Sequence, residues 1–136
     1  MTTRARHLSE HIDRPMPAVY AFVSDPENLP RWAPGLGSGV VHEDGEWYVE
    51  TGEGRARVRF APPNPFGVLD HEVLTPSGAT VHVPLRAIPD GDDACDVVFT
   101  LRPMPGMTDA DLDRDESLVR TDLALLKQLV EQRTAG

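Results

Sequence analysis

Two hydrophobic periods divide the chain. Residues 4–13, RARHLSEHID, alternate loosely and put Leu8, Glu10 and Ile12 on one face, which predicts a first strand. Pro15 stops it, because proline has no N–H to give a ladder and holds Arg14 extended. Pro17, Val19, Tyr20, Phe22 and Val23 then fit a short helix with proline in its first turn, ended by Asp25-Pro26. ENLPRW, residues 27–32, reads as a second short helix or turn carrying Leu29 and Trp32.

From residue 38 the period becomes two. SGVVHED, GEWYVETG and RARVRFAP predict three strands joined at HEDGEW and GEG. After the loop PPNPFG, the segments VLDHEVLTP (68–76), TVHVPLRAIP (80–89) and CDVVFTLRP (95–103) predict three more. The last segment, 108–132, is helical: Thr108 and Asp111 have capping-box spacing and acids crowd the first turns. Leu112, Val119, Leu123, Leu126 and Val130 form its stripe, with Leu118, Leu125 and Leu129 widening it. At 1.5 Å per residue it is about 37 Å long, enough to cross a sheet.

The pattern predicts one α+β domain over 1–136: strand, two short helices, six strands, long C-terminal helix. An antiparallel sheet has to bury one face, and only the last helix is long enough to cover it. A twisted sheet wrapped around that helix leaves a gap, closed at one end by the short helices. Trp32 then stands on the rim of a hydrophobic pocket.

Composition narrows the function classes. A net charge of −9 and pI near 4.9 argue against nucleic acid and against anionic membrane surfaces, both of which need clustered Lys and Arg. The single cysteine, Cys95, leaves no intrachain disulfide or thiolate cluster and reads as a small buried hydrophobe in ACDVVFTL. MTTRARH has no apolar signal core and no apolar window reaches the ~18 residues of a membrane span, so a cytoplasmic location is expected.

The stretch IDRPMPAVYAFVSDPENLPRWAPG (12–35), the strand VVFTL (97–101) and the helix segment DLALLKQL (122–129) resemble the SRPBCC superfamily, also called START-like or Bet v 1-like. Members of its polyketide cyclase/dehydrase branch show a similar start: Ile, then Pro, a Val-x-x-Phe helix, an Asp-Pro and a Trp. The resemblance implies a helix-grip fold, an antiparallel sheet of six to seven strands around the C-terminal helix. It leaves function open, since the superfamily holds carriers, aromatase/cyclases, oxygenase domains and co-chaperones. Neither an iron–sulfur motif nor a two-His-one-carboxylate spacing of the oxygenase kind is present, so no cofactor or metal is expected.

Candidate chemistry concentrates at His71. In VLDHEVL it shares a face with Leu69 and Val73, where an imidazole binds a ligand carbonyl or moves a proton near neutral pH. The alternative is a core histidine bonded to a backbone group or to Tyr20. Glu10, on the face of Leu8 and Ile12, is a second proton-transfer candidate if it points inward; the alternative is an end-of-strand carboxylate in solvent. Trp32 either stacks on a flat ligand or is plain core. Tyr20, Leu69, Val73 and Phe99, with the flexible thioethers Met104 and Met107, complete the expected wall.

Other motifs are weaker. HLSEH (7–11) spells H-x-x-E-H, which needs a helix to bring both histidines to one metal and here falls on a strand. GLGSG (35–39) lacks a dinucleotide fingerprint and reads as a loop at the pocket mouth. Glu50 and Arg57 are an opposed-charge candidate pair; Arg55 and Arg59 read as outer-face, as do His82 and Arg86. Three readings therefore stay open: a small-molecule binder taking a hydrophobic or aromatic ligand, a cofactor-independent cyclase or dehydratase using His71 or Glu10, and a partner module of co-chaperone or toxin type. A free edge strand is also able to pair two copies.

Overall fold

The computed structural model describes residues 4–34 and 37–132. β1 (Arg6–Ile12) leads to α1 (Met16–Val23), a 3₁₀ turn (Pro26–Asn28) and α2 (Leu29–Trp32). β2 (Gly39–Glu43), β3 (Glu46–Thr51), β4 (Gly54–Phe60), β5 (His71–Leu74), β6 (Thr80–Val83), β7 (Leu85–Asp90) and β8 (Ala94–Leu101) follow, then α3 (Asp109–Gln132). This is the helix-grip architecture: antiparallel strands, two short helices after β1, and a long C-terminal helix.

The strands form two ladders, β1-β8-β7 and β2-β3-β4-β5-β6. They part where one strand was expected over 80–89, so seven strands rather than six follow the short helices. Pro84 is the reason, since it has no N–H to continue the pairing. Before it, Val83 lies opposite His71; after it, Leu85 lies opposite Phe99. Asp70 bridges the break, its Oδ1 accepting the Leu85 N–H at 2.9 Å while its two oxygens hold Arg86 at 2.8 and 2.7 Å. Backbone bonds from Leu69 N–H to Leu85 O (2.8 Å) and from Ala87 N–H to Gly67 O (2.9 Å) sew the ladders together below it. Gly67 sits at φ 75, and a Cβ there would run into the Ala87 carbonyl, so only glycine allows this seam.

Register decides which residues face inward. Trp47 lies opposite Val58 and Val49 opposite Ala56; Phe60 is opposite His71 and Val58 opposite Val73. These make the inner face, with Trp47 and Val49 in and Tyr48 and Glu50 out. Outside, Arg55 holds Glu43 (2.9 Å) and Glu50 (3.1 Å), and Arg59 holds Glu46 (2.6 Å). The pair expected between Glu50 and Arg57 is corrected: the hairpin sets Glu50 opposite Arg55 and Tyr48 opposite Arg57.

α3 covers the inner face. Asp111 N–H donates to Thr108 Oγ1 (3.1 Å) and Thr108 N–H to Asp111 Oδ2 (3.0 Å), the expected capping box. Leu112, Leu123, Leu126 and Val130 are buried, but Leu118, on the shoulder of the stripe, is half exposed. Polar clamps fix the helix over β1: Arg6 to Asp113 (2.7 Å) and Glu116 (3.1 Å), and Lys127 Nζ to the His11 carbonyl (2.8 Å). Beneath lies one core cluster that includes Ile12, Val97 and Cys95. Cys95 is fully buried opposite Ile12, and desolvation pushes its thiol up to about 11. No helix among the described residues is long and apolar enough to cross a membrane.

Candidate functional site

The proline-bounded stretch after β1 builds one wall of the site. Pro15 is extended, and its carbonyl takes the first N–H groups of α1, at 3.0 Å from Ala18 and 3.2 Å from Val19. Asp25 Oδ1 then caps the 3₁₀ turn through Glu27 N–H (3.0 Å), and Asn28 Nδ2 ties back to the Phe22 carbonyl (3.0 Å). This fixes α2 with Leu29 and Trp32 turned into the protein, both nearly inaccessible. Trp32 is 3% exposed, and its buried Nε1–H has no acceptor among the described residues. An unpaired buried donor costs about 1–3 kcal/mol.

Trp32 lines a cavity of about 120 Å³ together with His71 and Val73 from β5, Phe99 from β8, and Val119 and Asp122 from α3. The walls are mostly carbon, and two residues with titratable side chains, His71 and Asp122, are among those that line it. His71 is 7% exposed; its Nδ1 lies 3.0 Å from the Leu69 carbonyl, and its ring leans on Phe60 with centroids 4.8 Å apart. Because a carbonyl only accepts, Nδ1 carries the proton and Nε2 is left as an acceptor, without a partner among the described residues. Desolvation holds the imidazole below its ordinary range, against smaller raising effects from the Leu69 bond and Asp70.

Asp122 was not among the residues singled out from the sequence. Desolvation alone pushes its carboxyl up to about 6. It makes no hydrogen bond or ion pair with any described residue, and its helical neighbours at i±3 and i±4 are Leu118, Val119, Leu125 and Leu126. That spacing was the available signal: an acid set into the apolar flank of the helix, hidden among the many acids of its outer face.

The remaining candidates fall elsewhere. Val73 and Phe99 line the cavity; Leu69 lies fully buried beside it and supplies the carbonyl that orients His71. Glu10 does not reach it. It shares the face of Leu8 and Ile12 as expected, but that part of β1 lies under the far half of α3, near enough to Lys127 to raise its pKa. Glu10 is not among the residues that line the cavity with His71. Tyr20 faces a separate groove of about 510 Å³ beside Trp47 and Phe60, where its hydroxyl accepts the Asn64 N–H at 3.0 Å. Met107 turns back on its own loop, Sδ accepting the Met104 N–H at 3.2 Å.

HLSEH lies on β1, where His7 meets Thr100 (3.0 Å) and His11 meets Asp96 (2.8 Å) on the face opposite Glu10. His82 is exposed beside Glu72 at 3.3 Å. Of GLGSG, Gly35 and Leu36 lie outside the described residues.

Known structures share this layout. The protein XoxI from Bacillus cereus aligns over 94% of this chain and 96% of its own, with TM-score 0.72 and 11% identity. A START superfamily protein from Mycobacterium smegmatis covers 96% and 99%, with TM-score 0.67 and 15% identity. The di-domain ARO/CYC BexL, from the BE-7585A biosynthetic pathway, covers 98% of this chain at TM-score 0.72 and 23% identity, and the match takes up 48% of that chain. At these identities the likeness is one of fold. Comparison with curated proteins returns no significant match. The family described as polyketide cyclase / dehydrase and lipid transport matches residues 12–115, most of the strands and the start of α3, and the chain belongs to that family.

Proposed function

We propose that the protein binds a small hydrophobic or aromatic molecule between its sheet and α3. The observation that carries this reading is the largely apolar cavity walled by Trp32, Val73, Phe99 and Val119 between the sheet and α3. Its volume of about 120 Å³ is near that of the ~150 Å³ apolar cavity that takes up one benzene ring. A ring held there lies against Trp32 and Phe99, whose flat faces suit offset or edge contacts. Native mass spectrometry of the purified protein, followed by solvent extraction, tests the reading. A bound apolar compound should appear in the wild type and disappear in Val119→Phe, which fills the cavity. A clean mass, with no uptake of added toluene by the wild type, would sink the proposal.

A second reading is proton-transfer catalysis of the cyclase or dehydratase kind, favoured by two titratable groups on one cavity, His71 with its Nε2 free among the described residues and Asp122. Neutral His71 accepts a proton at Nε2; Asp122, with a pKa of about 6, exchanges one readily near neutral pH. One group takes a proton beside a carbonyl while the other returns one to the departing or newly formed oxygen. Loss of turnover in both His71→Gln and Asp122→Asn, with ligand still retained, would support this reading; turnover unchanged in both would remove it.

A further inference from the structure

A separate groove of about 490 Å³ lies where α1, the 3₁₀ turn and α2 meet the end of α3, and it shares no lining residue with the cavity under Trp32. Two of its lining residues are arginines, Arg14 and Arg31, in a chain whose acids outnumber its bases by 22 to 13. Arg6, Arg55, Arg59, Arg86, Arg114 and Arg120 each hold a carboxylate, but neither groove arginine forms an ion pair among the described residues. Arg31 donates from Nη1 to Asn28 Oδ1 at 3.1 Å, and its guanidinium lies 5.3 Å from the centre of the Phe22 ring. Arg14 Nε is buried without a partner; the terminal nitrogens, equally unpaired, are not buried. A guanidinium partly withdrawn from water with no counter-charge is a costly arrangement, and its open end is where an anion can meet it. Asp25 also lines the groove, but its Oδ1 is committed to the Glu27 N–H at 3.0 Å.

The rest of the wall is largely carbon. Ala18, Ala21 and Phe22 stand at i, i+3 and i+4 on one face of α1, and the two alanines leave room that a ring or short alkyl chain fills. We propose that this groove is a second binding site, for a phosphate monoester with an apolar body. Arg14 and Arg31 hold the phosphate, and the body lies along Ala18, Ala21 and Phe22. A phosphate monoester carries about −1.5 to −2 charges near neutral pH and three free oxygens, which suits two cations from two segments. A carboxylate has one charge and two oxygens, and a single guanidinium fork satisfies it.

Calorimetric titration of the whole chain with phenyl phosphate, at neutral pH and low salt, tests this. Phenyl phosphate should bind the wild type, more tightly than benzoate, and raised salt should weaken it. Arg14→Gln should weaken it about tenfold or more, the effect of losing charge-assisted hydrogen bonds. Arg31→Gln, at an exposed position outside the core, should weaken it severalfold. Toluene, the probe of the inner cavity, should not displace it. Absence of binding, unchanged affinity in both variants, or displacement by toluene overturns the site. Benzoate binding as tightly as phenyl phosphate overturns the assignment to phosphate.

Discussion

Burial drives His71 and Asp122 toward the same neutral state from opposite sides of the pH scale. The folded His71 binds a proton less readily than the unfolded one. Its contribution to stability is therefore present above the unfolded value of ~6.5 and is lost as pH falls below it. Asp122 runs the other way: its folded carboxyl is raised to about 6, so stability is greatest below its unfolded value and declines as pH rises through about 6. Two consequences are measurable. His71→Gln should flatten the fall of Tm as pH drops below about 6.5, seen by scanning calorimetry at stepped pH. Asp122→Asn should stabilise the protein at pH 7.5 by ~1–2 kcal/mol in urea titration, because a two-unit shift is worth about 3 kcal/mol at full strength and partial solvation reduces it. An unchanged midpoint would mean that water already reaches the carboxylate. His71 was legible in the sequence because strand alternation placed it beside Leu69 and Val73. Asp122 was not, because α3 carries acids along its whole length and nothing but helical phase marks one as inward.

At the level of elements, the kink at Pro84 shapes the sheet, and Asp70 makes the kink tolerable. Asp70→Ala leaves the Leu85 N–H and the Arg86 guanidinium without their acceptor, so a loss of ~2 kcal/mol is expected by urea titration. Asp70→Asn keeps one acceptor oxygen and should lose about half as much. Because Arg86, and then the Leu85 N–H, hold the Asp70 carboxyl below its usual range, its contribution should fade as acidic solution protonates it. Strand positions, the turn at Asp44-Gly45 and the capping box were readable from period and turn chemistry. The split of residues 80–89 was not visible in the alternation, since Val81, Val83, Leu85 and Ala87 keep the same parity straight through Pro84. The proline itself was the marker, and its effect depends on which neighbour each half finds. Glu10 lies outside the cavity lining for a related reason: parity tells which face a side chain takes, but not which stretch of α3 lies above it.

For the molecule as a whole, the cavity is where independent parts meet: His71 and Val73 belong to one ladder, Phe99 to the other, and Trp32, Val119 and Asp122 to the helices. A ligand there touches every layer, so its binding energy should appear as global stability and not as local stiffening. With toluene at 100 times its Kd, linkage gives about 2.7 kcal/mol, a rise in Tm of roughly 8–10 °C for a chain of this size. Val119→Phe should abolish the rise. A Tm that stays put in the wild type at saturating probe would separate the site from the core.

The ladder between β1 and β8 also contains a clock. Cys95 is the only thiol in the chain, it has no accessible surface, and at about 11 its pKa leaves almost no thiolate at neutral pH. An alkylating reagent can reach it only when the core around it opens, so the rate of labelling counts those openings one molecule at a time. The protein thus carries, without any engineered tag, a native probe of how often its grip on the helix loosens, and a tenant in the cavity should slow the count.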